Sequence, residues 1–176
     1  MTEILETPKL VTVFGGSGFL GRHVVRALAR RGYRVRVACR RPDLAGHLQP
    51  LGNVGQIQAV QANLRVRWSV DRAVEGADHV VNLVGILFES GAQTFPAVLD
   101  FGARAVAEAA RAAGAGLTHV SAIGADENAA SSYARAKARE MFDRYPKTAY
   151  MTEIESWREL PGDRIEFTMR RLPTAD

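Results

Sequence analysis

At 176 residues the chain is long enough for one domain with a sizeable core and short for two. A hydrophobic share of 47% against 24% charged residues excludes a disordered chain, and the net charge of +4, carried by scattered arginines, gives no nucleic-acid footprint. The single Cys39 excludes an internal disulfide, no Cys/His set has metal-ligand spacing, and neither a signal peptide nor a membrane span is read, so the expectation is a metal-free cytoplasmic protein.

The first element is Leu10-Val11-Thr12-Val13-Phe14, a β-branched apolar run of the kind buried on both faces of a parallel sheet. A glycine turn follows directly, and from Phe19 to Arg31 the residues Leu20, Val24, Val25, Ala27 and Leu28 recur at helical spacing until Gly32 ends the helix. Tyr33 to Cys39 reads as a second strand with Val35, Val37 and Cys39 on one face, stopped by Arg40-Arg41-Pro42. Gln56 to Gln61 is a third strand, Val66 to Glu75 a helix and His79 to Val84 a fourth strand. An Ala-rich helix then covers residues 96 to 113, ended by Gly114 or Gly116, and Leu117 to Ser121 is a fifth strand. Met151 to Asp176 breaks this rhythm with a Pro161-Gly162-Asp163 turn and an alternating Ile165-Phe167-Met169 segment that reads as an edge strand.

Strict βαβ alternation implies an α/β, doubly wound parallel sheet of the Rossmann type over residues 1–150, with 151–176 as an atypical extension. Such sheets bind ligands at the carboxyl ends of their strands. Gly15, Gly18 and Gly21 fall at G-x-x-G-x-x-G spacing between a strand and a helix. The first glycine can make the tight turn, the second admits a pyrophosphate near the backbone, and the third lets the helix pack closely. Ser17, Phe19, Leu20 and Arg22 belong to the same turn and helix start.

At the end of the second strand an NAD site would carry a carboxylate for the ribose 2′-hydroxyl. Arg40 and Arg41 stand there instead, with Arg22 within reach, and guanidinium groups suit a 2′-phosphate, which favours NADP(H) over NAD(H). The bland alternative is a set of solvated surface arginines. Asn63 and Leu64, after the third strand, can meet the adenine, while Val84 and Gly85, after the fourth, let backbone pass close to the cofactor.

Tyr133 and Lys137 form Y-x-x-x-K, an i, i+4 pair that places phenol and ammonium on one helix face. With Ser121 at the fifth strand's tip they make a candidate catalytic set: Ser121 to orient a carbonyl, Tyr133 as acid/base, and Lys137 to hold ribose hydroxyls beside the cofactor. The pattern also arises by accident in surface helices. Asp126 and Glu127 can line a pocket, and the four dispersed histidines read as structural.

These motifs together resemble the atypical, extended-type short-chain dehydrogenase/reductases. The narrower resemblance is to the NADPH-binding accessory subunits of respiratory complex I and their bacterial homologues. It rests on Val13 to Arg22, on His47-Leu48-Gln49-Pro50-Leu51-Gly52-Asn53-Val54-Gly55-Gln56-Ile57, on Val81 to Gly85 and on His119-Val120-Ser121, and it runs over roughly residues 9–140. Such proteins continue with a strand ending in Arg-Pro or Lys-Pro. Tyr145 to Met151 echoes that strand, but Thr152-Glu153-Ile154 replaces the pair, so the C-terminal substrate region is expected to be missing or atypical. The resemblance implies a non-catalytic subunit that holds NADPH, with complex I subunits as partners and any inner-membrane association made through them. Two alternatives stay open: a free NADP(H)-dependent reductase or epimerase using Ser121, Tyr133 and Lys137, and an NADP(H)-sensing regulator.

Overall fold

The computed structural model describes residues 8–121, 128, 130, 132–142, 152–160 and 164–171. Two compact units result, Met1–Glu140 and Met141–Asp176. The larger is a five-stranded parallel sheet in the order β3-β2-β1-β4-β5, built from β1 (Leu10–Phe14), β2 (Arg34–Cys39), β3 (Ile57–Gln61), β4 (His79–Asn82) and β5 (Gly116–His119). The chain winds outward from β1 to β3, then crosses to β4 and winds outward again, which is the doubly wound topology expected.

Why the strands run so apolar follows from the two layers that cover them. On one face, helix α1 (Phe19–Arg30) and the 3-10 turn Gly46–Leu51 pack Val25 and Leu48 against Val11, Val13, Val35, Val37 and Ile57. On the other face, α2 (Arg67–Val74) and α3 (Phe101–Ala112) pack Val70, Val74, Val106 and Ala109 against Phe14, Ala38 and Val80. In α1 the buried residues Gly21, Val25 and Ala29 recur every four positions, one stripe of an amphipathic helix. Gly32, with φ +83°, ends that helix as expected, its N–H donating to Ala29 O at 3.0 Å.

Polar residues within the sheet have defined partners. Thr12, fully buried, donates its hydroxyl to Ala73 O at 2.9 Å. Arg36 Nη1 donates to Ala73 O at 2.9 Å and Glu75 O at 2.7 Å, so a cation meets carbonyls at the C-terminal end of α2. Burial holds the Arg36 pKa below its ordinary value, with Arg34 pushing the same way.

Two strands stop earlier than expected. β4 ends at Asn82 rather than Val84 because the Asn82 side chain takes over: its Oδ1 accepts the Val84 N–H at 3.1 Å and turns the chain out of the ladder. β5 ends at His119, with Val120 N–H to Asn82 O the last rung, so Ser121 lies beyond the strand. Before α3, residues Pro96–Asp100 form one wide π-type turn. Helix α4 (Ser132–Phe142) follows β5 in sequence.

The smaller unit contains an antiparallel pair, β6 (Thr152–Leu160) and β7 (Arg164–Arg171), where only the segment around Ile165 to Met169 was expected to be extended. A register irregularity between Ile154 and Ser156 explains the miss, since it breaks the period-two pattern that sequence reading relies on. The expected turn at Pro161 to Asp163 and the Tyr145 to Met151 segment lie outside the described residues, as do Asp126 and Glu127. Among the described residues no helix is long and apolar enough to cross a membrane, and no group of three or more His, Cys, Asp or Glu could hold a metal.

Candidate functional site

The carboxyl ends of the strands frame a cleft of about 360 Å³, within the size range of small-molecule sites. Its floor is the glycine turn. Gly15 adopts φ +77°, and a Cβ there would lie 3.2 Å from both Leu83 C and Val84 N, so glycine is required by conformation and by space. Gly18 N–H closes the turn on Gly15 O at 3.0 Å. A Cβ on Gly21 would collide with Gly15 O and come within 2.6 Å of Gly16 C, so the helix can rest on the turn only without a side chain. No acidic residue occupies the first turn of α1, which leaves its positive end to an anion. A cradle that a Cβ would fill, at a helix start inside a cleft, fits a dinucleotide phosphate.

Of the residues singled out by sequence, Gly15, Ser17, Gly18, Phe19, Leu20, Gly21, Arg40, Asn63, Leu64, Val84 and Gly85 all line this cleft. Arg22 does not: its guanidinium lies 5.1 Å from the centroid of the exposed Phe19 ring. Arg41 does not either, because it turns to Asp43 in an ion pair with Nη2 to Oδ2 at 2.6 Å. That hydrogen bond holds the Asp43 carboxyl below its ordinary range. The carboxylate nearest in sequence to the end of β2 is thereby committed to Arg41, while Arg40 is the cation in the cleft.

Cys39 precedes Arg40 and is buried beside the turn; burial raises its thiol pKa, an effect partly opposed by hydrogen bonds to the Arg41 backbone and the Ser17 side chain.

Ser121, Tyr133 and Lys137 lie outside the cleft lining. Lys137 reaches the tip of β5, its Nζ donating to Val120 O at 3.3 Å, one residue before Ser121. Tyr133 packs edge-on against Phe95, with ring centroids 5.9 Å apart. It joins a cluster with Val84, Ile86 and Val98, which also form the cleft wall, so α4 stands behind that wall. Asn82 fixes the neighbouring strand tips by pairing Nδ2 with His119 Nδ1 at 3.1 Å.

Sequence reading missed Phe14, Ala38, Ala62, Leu83, Arg65, Ile86, Gln93, Val98 and Cys39 as lining residues. The first four are strand-tip or flanking positions, which the carboxyl-end rule alone could have supplied. Ile86 and Gln93 come from the loop after β4, which has no periodic signal.

The chain matches the NAD(P)H-binding family over residues 15–161. It is 39% identical over 128 residues to a Caulobacter vibrioides protein named ceramide reductase, covering 73% of this chain and 39% of that protein. It is 36% identical over 132 residues to the mitochondrial NADH dehydrogenase (ubiquinone) 1 alpha subcomplex subunit 9 of Mus musculus, covering 73% of this chain and 35% of that one. The chain thus spans little more than a third of the length of these relatives. A Serratia marcescens short-chain dehydrogenase/reductase shares the fold, with a TM-score of 0.60 at 21% identity over 75% of this chain and 62% of the other. With the match beginning at the first glycine of the turn and running past β2 to β5, the chain belongs to the NAD(P)H-binding family, and its cofactor is a nicotinamide dinucleotide.

Proposed function

We propose that this chain is a nucleotide-holding domain that retains NADP(H) as a bound ligand, in the manner implied by its likeness to the complex I accessory subunit, with subunits of such a complex as its partners. The observation that carries the reading is the division of labour at the carboxyl edge. The cleft is lined by the glycine turn and Arg40, while Ser121, Tyr133 and Lys137 are absent from its lining. The glycine turn would hold the pyrophosphate, Arg40 the 2′-phosphate, Asn63, Leu64, Val84 and Gly85 the adenosine and backbone side of the cleft, and Tyr133 and Lys137 would support its wall. The bound nucleotide supplies hydride chemistry only where a substrate can reach it.

A second reading is favoured by one contact. Lys137 is placed at the β5 tip next to Ser121, on the same helix as Tyr133, and one relative is named a reductase. Here Tyr133 would pass a proton to a carbonyl oriented by Ser121.

The two separate in one experiment on the purified chain: NADPH is titrated, then incubated with a panel of ketones while absorbance at the reduced nicotinamide band is followed. The holding reading expects binding without consumption. Saturable consumption that disappears in Tyr133→Phe favours the reductase.

A further inference from the structure

A second arginine enters the cleft outside the glycine motif. Arg65 follows Asn63 and Leu64 beyond β3 and lines the cleft with them. Because β3 neighbours β2 at one edge of the sheet, Arg65 and Arg40 follow adjacent strands, on the side of β1 away from β4 and β5.

The turn that presents Arg65 is closely specified. Asn63 Oδ1 accepts the Arg65 N–H at 3.1 Å, an Asx turn. The buried Ser69 hydroxyl accepts the Asn63 N–H at 3.0 Å and lies 3.0 Å from Asn63 O and 2.7 Å from Val66 O. Val66 N–H closes the loop on Asn63 O at 2.8 Å. One lone pair of the Asn63 side-chain oxygen therefore goes to orienting the next cation along.

At its far end, Arg65 Nη1 donates to Ala92 O at 3.3 Å, beside Gln93, another cleft residue. A guanidinium has five donors lying in its plane and two faces that can stack on a flat ring, and one in-plane hydrogen bond restricts the side chain without itself covering a face. Half-buried, with its backbone N–H and its Nη1 each engaged, Arg65 is restricted in where its guanidinium can lie.

We propose that Arg65 is an adenine-binding residue, its guanidinium plane stacking on the adenine ring of the bound dinucleotide, with Asn63 as its positioning residue. The proposal rests on the nucleotide reading above and adds a contact of a different kind from that of Arg40. Adenine is common to NADPH and NADH, so a stacking arginine serves both, whereas a phosphate-binding arginine serves one.

The test is calorimetric titration of the full chain and its variants with NADPH and with NADH. Arg65→Leu is expected to weaken both about tenfold. Arg65→Lys is expected to recover little, since an ammonium has no plane to stack. Asn63→Ala should lose a similar factor in the wild-type background, little more in the Arg65→Leu background, and be rescued by Asn63→Asp, which keeps the acceptor oxygen. A loss confined to NADPH places Arg65 on the 2′-phosphate and overturns the proposal, as does full recovery in Arg65→Lys or an unchanged affinity in Arg65→Leu. Additive losses overturn the role of Asn63. A wild-type chain that binds neither nucleotide overturns the parent reading, and this one with it.

Discussion

Lys137 on α4 donates from its ammonium to the carbonyl of Val120 at 3.3 Å, with the residue only 2% exposed. A charged donor buried against a strand tip ties α4 to the sheet, and its loss leaves a carbonyl with fewer partners away from water. Lys137→Met, which keeps the bulk, is predicted to destabilise the protein by about 1–3 kcal/mol, read as a lower denaturant midpoint, with nucleotide affinity largely kept. An unchanged midpoint together with weakened NADPH binding would instead assign Lys137 to the ribose.

Gly21 has no room for a side chain. Gly21→Ala must push α1 off the turn, and overpacking of this kind costs about 1–3 kcal/mol. The displaced turn should also bind nucleotide at least tenfold more weakly, since a phosphate cradle depends on placement of its N–H groups. Gly32→Ala is the control: it has a positive φ and open space, so it should lose stability without losing affinity beyond that loss.

Arg40 and Arg41 are adjacent in sequence and differ in situation, one lining the cleft and one paired with Asp43. Arg40→Asp is predicted to weaken NADPH binding by tenfold or more while sparing NADH, as expected for a lost charge-assisted bond of about 1.5–3 kcal/mol. Arg41→Ala should change NADPH binding less than Arg40→Ala. Equal effects of Arg40→Asp on both nucleotides would remove the 2′-phosphate assignment.

Cys39 gives a pH dependence. Burial raises its pKa above the ordinary 9.0, so the folded protein holds the thiol proton more tightly than the unfolded chain does. Its contribution to stability is therefore complete below about pH 9 and is lost as pH rises through the folded value. Cys39→Ala should flatten the fall in stability above pH 9, measured by denaturation at fixed pH steps. A fall that is the same in both proteins would assign the alkaline loss elsewhere.

The five strands and their doubly wound arrangement were legible because a buried parallel strand must be apolar throughout and because its partners alternate with amphipathic helices, as Val11, Val13 and Val25 to Ala29 show. Strand ends were less legible, since Asn82 stops β4 through a side-chain bond that no periodicity records. In the site, Gly15 and Gly21 could be read from spacing because each answers a steric demand. The different fates of Arg40 and Arg41 could not, because identical side chains were separated only by the position of Asp43. Arg65 was invisible for a similar reason: its place depends on Asn63 and Ala92, two and twenty-seven residues away.

The cleft at the carboxyl edge is proposed to hold a nicotinamide dinucleotide and to prefer the 2′-phosphorylated form. Parallel calorimetric titrations of the wild-type chain with NADPH and NADH test it most directly. The prediction is one site per chain with NADPH bound at least tenfold more tightly; tighter binding of NADH, or binding of neither, would contradict it.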